Sequence, residues 1–100
     1  MADQSLRNKK IIISAGASGI GLAITKVCLS RGAYVYLCDI NNKYLIKLNK
    51  HTLLNKRLFI YHCDASNEYH VNDFFEKIKK KVKKIDALIN NVGVAGPTST

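Results

Sequence analysis

The sequence has no tryptophan, one methionine, one proline and six glycines in 100 residues. That little proline and glycine excludes collagen-like repeats and Pro/Gly-rich disorder, and a hydrophobic content of 47% points to a globular chain. Cysteine is equally sparse. Cys28, Cys38 and Cys63 are odd in number, show no C-x-x-C spacing and sit in apolar segments, so three buried reduced thiols are expected rather than a disulfide framework. His51, His62 and His70 have no H-E-x-x-H or paired-ligand spacing, which argues against a metal site. No apolar run approaches the roughly 20 residues of a membrane span. The N-terminal MADQSLRNKK lacks the apolar core of a secretion signal, and a cytoplasmic, non-membrane location is the expectation.

What the chain does have is a regular alternation. One hundred residues suit one core. The β-branched run Lys10 to Ser14 reads as a strand buried on both faces. From Gly19 to Arg31, the residues Ile20, Ala23, Ile24, Val27 and Cys28 form a helical stripe, with Gly32 as its stop. Tyr34 to Cys38 reads as a second strand, Asn41 to about Lys50 as a helix, and Leu58 to His62 as a third strand. Val71, Phe74, Phe75, Ile78 and Val82 recur at helical spacing, and Ser66 or Asn67 can cap the helix that carries them. Ala87 to Asn90 reads as a fourth strand, and Gly93, Gly96 and Pro97 mark a loop beyond it. Strands alternating with helices predict a parallel α/β sheet covered on both faces. Right-handed crossovers then give the order 3-2-1-4 of a Rossmann-type half, with a ligand site at the carboxyl ends of the strands, near the switch point between strands 1 and 4.

The stretch ISAGASGIGLAI, Ile13 to Ile24, falls at the end of the first strand. A glycine-rich strand-to-helix turn lets the backbone approach an anion closely, and the helix N-terminus offers free N–H groups and a partial positive charge. A dinucleotide pyrophosphate is the natural guest, although Gly16, Gly19 and Gly21 do not form a G-x-G-x-x-G pattern. Asp39 closes the second strand 18 residues after Gly21, where a carboxylate can accept from both hydroxyls of an adenosine ribose. It can equally be a strand-end turn residue or a cap for the following helix. A carboxylate there repels a 2′-phosphate, and no Arg or Lys lies in Ala15 to Ile20 to offset it, so NAD is favoured over NADP.

These residues resemble the short-chain dehydrogenases/reductases over essentially the whole chain. SAGASGIG is similar to their T-G-x-x-x-G-x-G motif, HCDAS to their adenine-contacting Asp, and LINNVG to their N-N-A-G. The resemblance implies that the turn from Ser14 through Gly16 to Gly21 belongs to the cofactor site. Within it, Ser18, Gly19 and Ile20 would line the pyrophosphate and the approach to the nicotinamide. Asp39 and Ile40 would hold the adenosine, Asp64 and Ala65 would flank the adenine, and Asn91, Val92 and Gly93 would follow its ribose side. Asn90 and Asn91 have a second implied role, tying the central strands together. Two positions depart from the pattern. Ala15 stands where the first motif glycine is expected, which matters if that position needs positive φ or touches the cofactor, and Val92 stands for the usual alanine.

The family's chemistry uses a serine, a tyrosine and a lysine in a Tyr-x-x-x-Lys spacing that puts the last two on one helix face. No such spacing occurs in the 100 residues. The expectation is an incomplete NAD(P)-binding domain over 1–100, inactive alone, from an NAD-dependent oxidoreductase that meets its small-molecule substrate only through a further part. The alternative is a non-catalytic remnant or stand-alone nucleotide-binding module. Ending after the fourth strand would leave an open apolar edge, so self-association is expected. The sixteen basic residues outnumber seven acidic ones, for a net charge of +9, and six lysines crowd into EKIKKKVKKID. A solvated helix face explains them, and the absence of interleaved aromatics argues against nucleic-acid binding.

Overall fold

The computed structural model describes residues 4–17, 19–52 and 55–90. Its elements run β1 (Lys10–Ser14), α1 (Gly19–Ser30), β2 (Tyr34–Asp39), α2 (Asn42–Thr52), β3 (Leu58–His62), α3 (Glu68–Lys79) and β4 (Ala87–Asn90). The four strands form one sheet in the order β3-β2-β1-β4, and every pair is parallel. This is the expected Rossmann-type arrangement. Parallel strands can be joined only by crossovers, and those helices cover the two faces.

Burial follows the two-residue period of the strands. Ile11, Ile13, Val35 and Leu37 face α1 and α2, where they meet Cys28, Leu45 and Leu48. Ile12, Tyr36 and Cys38 face the other way, toward Phe74 and Ile78 of α3. The uninterrupted Ile11-Ile12-Ile13 run is therefore buried on both sides. Each isoleucine so buried contributes about 2 kcal/mol of transfer free energy. Cys28, Cys38 and Cys63 are all free and buried.

Two helices differ from their expected outlines. In α1 the fully buried positions are Gly21, Thr25 and Cys28, while Ile20 is 71% and Val27 47% exposed and Ala23 is also exposed. Of the expected stripe, Cys28 is buried and Ile24 half-buried. The preceding turn fixes which side of the helix meets the sheet, and small residues on that side let the helix lie close to β1 and β2. The third helix ends at Lys79. Val82 falls beyond it, yet its N–H still donates to the Ile78 carbonyl at 3.0 Å and its side chain packs on the α3 cluster. The chain must leave the helix there to bring Ala87 beside Ile11.

Local signals set the starts of α2 and α3. Asn41 accepts from the Tyr44 N–H at 3.1 Å, and Asn67 caps α3 by accepting from the N–H groups of Tyr69 and His70. Asp86 docks the β4 entry onto β1, since its Oδ2 accepts from the Lys10 N–H at 2.8 Å while its own N–H donates to the Lys10 carbonyl.

That amide holds the Asp86 carboxyl below its ordinary range, helped by the nearby Lys9, Lys84 and Lys10 charges. A carboxyl whose pKa is depressed by folding adds stability above its unfolded pKa and loses it as pH falls through the folded one. Replacing Asp86 with Asn should therefore lower the melting temperature at neutral pH. The gap to the unmodified chain should hold above about pH 4 and close as pH falls below it. Thermal melts across that range check this, and a gap independent of pH would contradict it.

Candidate functional site

The carboxyl ends of β1, β2 and β4 converge on the glycine turn. Gly16 donates its N–H to the Cys38 carbonyl at 3.2 Å, extending the pairing with β2 past the end of β1. A Cβ on Gly16 would lie 2.8 Å from the Leu37 Cβ and 3.3 Å from the Thr25 Oγ1. The backbone at Gly16 is thus bare because β2 and α1 press on it. Gly19 has the opposite surroundings. Its φ is +56°, and a Cβ there would meet nothing within 4 Å. Glycine supplies the left-handed conformation that starts α1, and the space beside it is open.

Ala15 sits at φ +54°, so the methyl group at this position bears directly on backbone strain. Left-handed backbone costs a non-glycine residue about 1–2 kcal/mol.

Asp39 is 7% exposed and holds the site together. Its Oδ2 accepts from the Ala17 N–H at 3.1 Å and its Oδ1 from the Asn41 N–H at 2.9 Å. The carboxylate therefore bridges the glycine turn to the segment leading into α2, and the turn-residue role considered from sequence is real. Each oxygen keeps a further lone pair for another donor. Thr25 is a positioning residue that sequence reasoning missed. Its buried hydroxyl lies 2.9 Å from the Gly21 carbonyl and 3.3 Å from that of Gly16, tying the turn to the first turns of α1. The signal was present as a hydroxyl directly after the apolar stretch Leu22-Ala23-Ile24, four positions after Gly21.

On the β4 side, the Ser14 hydroxyl donates to Asn90 Oδ1 at 3.0 Å, with the Ile89 carbonyl at 3.4 Å. Asn90 thus ties the central strands, and Ser14 is occupied in the same tie. Ile40 is exposed, and its carbonyl lies 3.0 Å from His62 Nε2. Asp64 accepts from the Ser66 N–H and hydroxyl. Those two bonds hold its carboxyl below the usual range. Ala65 lines a cavity of about 120 Å³ with Ser14, Cys38, Cys63, Leu88 and Asn90. Burial pushes the Cys38 thiol up to about 12, reinforced by Cys63 beside it. Ser18, Asn91, Val92 and Gly93 lie outside the described residues. Among the residues that are described, Ser14, Gly16, Gly19, Ile20, Gly21 and Asp39 come together around one turn.

A family model described as short chain dehydrogenase matches residues 9–100. The chain belongs to the short-chain dehydrogenase family. It is 32% identical over 90 residues to the short chain dehydrogenase/reductase dpfgG of Gibberella zeae, covering 90% of this chain and 33% of that protein. It is 34% identical over 93 residues to the 3-oxoacyl-[acyl-carrier-protein] reductase FabG of Chlamydia pneumoniae, covering 92% and 38%. A crystal structure of a short chain dehydrogenase from Mycobacterium smegmatis superposes with a TM-score of 0.82 over 95% of this chain and 40% of that one, at 24% identity. A 3-ketoacyl-(acyl-carrier-protein) reductase from Brucella melitensis, complexed with NADH, superposes at 0.75 and 25% identity, covering 84% and 34%. The chain spans about a third of the length of the curated relatives it matches. Short-chain dehydrogenases bind a nicotinamide dinucleotide.

Two outcomes follow from this geometry. Ala15→Gly should raise stability by up to about 1 kcal/mol, because relief of the left-handed strain exceeds the entropy that glycine adds to the unfolded chain. Denaturant titration reads that gain, and a loss of stability would contradict it. The native chain should also resist a thiol reagent at neutral pH and expose all three cysteines only on unfolding. Fast labelling of Cys38 in the folded state would contradict its burial.

Proposed function

We propose that this chain is the dinucleotide-binding portion of an NAD-dependent oxidoreductase of the short-chain dehydrogenase type. The observation that carries the reading is the open left-handed position at Gly19, at the N-terminus of a helix with no acidic residue in its first turn. Phosphate oxygens can approach that backbone without meeting a side chain and find free N–H groups and the positive end of the helix dipole. The residues fit the group. The turn would hold the pyrophosphate, with Ser18 and Ile20 beside Gly19. Asp39 and Ile40 would hold the adenosine ribose, and Asp64, Ala65, Asn91, Val92 and Gly93 would surround the adenine end. Bound there, the cofactor supplies or accepts a hydride. These residues bind and orient it, while no Tyr-x-x-x-Lys is present among the 100 residues to move the substrate proton.

Asp39 favours NAD over NADP. Its carboxylate is already held in place by the Ala17 and Asn41 amides, so it cannot swing away from a 2′-phosphate without breaking the turn. Lys43, exposed on α2, is the cation closest to it in sequence.

Titration followed by NADH fluorescence tests the reading. Saturable NADH binding is expected, at least tenfold tighter than NADPH by ordinary like-charge repulsion (about 1.4 kcal/mol). Gly19→Ala should weaken it by more than its left-handed strain of about 1–2 kcal/mol, read separately by denaturant titration, accounts for, and Asp39→Asn should narrow the gap between the two cofactors. Absence of binding up to about 1 mM NADH would overturn the site. Equal affinity for NADH and NADPH would overturn the choice of cofactor.

A further inference from the structure

The lysine excess has a spatial order that its linear clustering hides. On α3, Lys77 pairs with Asp73 at 3.0 Å and Lys79 with Glu76 at 3.4 Å, so these two are neutralised. The lysines beyond the helix converge with Lys10, the first residue of β1, at the amino-terminal end of the sheet, the end away from the glycine turn. Lys10, Lys81, Lys83 and Lys84 line one groove of about 400 Å³ there. Asp86 is its one acid, and that carboxylate is already engaged by the Lys10 N–H and, at 3.8 Å, by the Lys84 ammonium. Lys81 and Lys83 have no ion pair among the described residues.

Two of these ammonium groups are held in place. Lys10 Nζ sits 4.4 Å from the Tyr34 ring centroid and donates to the Asn8 carbonyl at 2.9 Å. Lys81 Nζ sits 5.4 Å from the Phe59 centroid. Aromatic rings therefore do accompany these lysines in space, although none interleaves with them in sequence. They are not stacking platforms, however. Phe59 has Lys81 over its ring and stacks on Tyr36 at 4.9 Å, and Lys10 covers Tyr34. A cation array anchored on already occupied rings recognises negative charge along a chain and offers a base nothing to stack on.

We infer that this groove binds a linear chain of phosphates, with inorganic polyphosphate as its occupant, independently of the dinucleotide site. Lys10 and Lys81 already rest on their rings, so these two lose less side-chain freedom on binding than free lysines would.

Isothermal titration of the full chain with a short inorganic polyphosphate, repeated at rising salt, tests this. Binding is expected at low salt and should weaken steeply as salt rises, because counterions are released. Lys81→Glu with Lys83→Glu should cut affinity by about tenfold or more, beyond the effect of Lys26→Glu with Lys50→Glu, which carries the same change in charge elsewhere. Amide shifts in the unmodified chain should concentrate at Lys10 and Lys81 to Lys84, which keeps the test decisive if a variant misfolds. No binding at low salt, equal losses in the two double variants, or shifts spread over the surface would overturn the proposal. So would an oligothymidylate of equal phosphate count that binds more tightly than polyphosphate, because bases would then be contributing.

Discussion

Burial of β1 on both faces is the constraint on which the rest of the structure depends. Ile12 and Ile13 are essentially inaccessible, and they point to opposite sides of the sheet. A strand of this kind cannot tolerate water on either face, so each crossover must return a helix to cover it. The helices α1 and α2 take one side and α3 the other. Because β1 is central, its end is also where the sheet's connections diverge, toward β2 on one side and β4 on the other. The crevice created there is a consequence of topology before any functional residue is considered.

The glycine turn at that point answers to two demands that look alike in sequence. Gly16 is bare because the protein's own packing presses on it, whereas Gly19 is bare toward open space and left-handed. Ala15 shows that the turn's shape survives a side chain where glycine would be relaxed. The shape survives because the turn is clamped from outside itself. Asp39 takes the Ala17 amide, the Thr25 hydroxyl lies at the Gly16 and Gly21 carbonyls, and Ser14 with Asn90 closes the β4 side. A buried carboxylate that organises backbone amides is also well prepared to receive hydroxyl donors, since its position no longer costs entropy when a ligand arrives.

Charge is distributed as unevenly as burial. The lysines of α3 are largely answered by its own carboxylates, whereas those past its end are gathered against β1 by the Asp86 link. The two ends of the sheet therefore differ in kind. At the carboxyl end, backbone amides and one carboxylate provide specific polar geometry. At the amino end, ammonium groups rest on aromatic rings and provide charge with little directionality.

By itself the sequence determined the element order, the strand limits of β1, β3 and β4, the parallel class of the sheet and the family. Those features rest on local periodicity and on turn residues that act within a few positions. It also pointed to Gly19 and Asp39, because a strand end followed by glycines and a helix is a local pattern. Only the tertiary structure decided which side of α1 is buried, since Ile20-Ile24-Val27 and Gly21-Thr25-Cys28 are adjacent stripes and the anchoring turn chooses between them. It alone separated Gly16 from Gly19 and showed Thr25 and Ser14 as braces of the turn. It alone placed Tyr34 and Phe59 beneath lysines 24 and 22 residues away in the chain. The reason is the same throughout: these relations are distances between segments that the chain brings together only when the sheet forms, and no periodicity along a single segment records them.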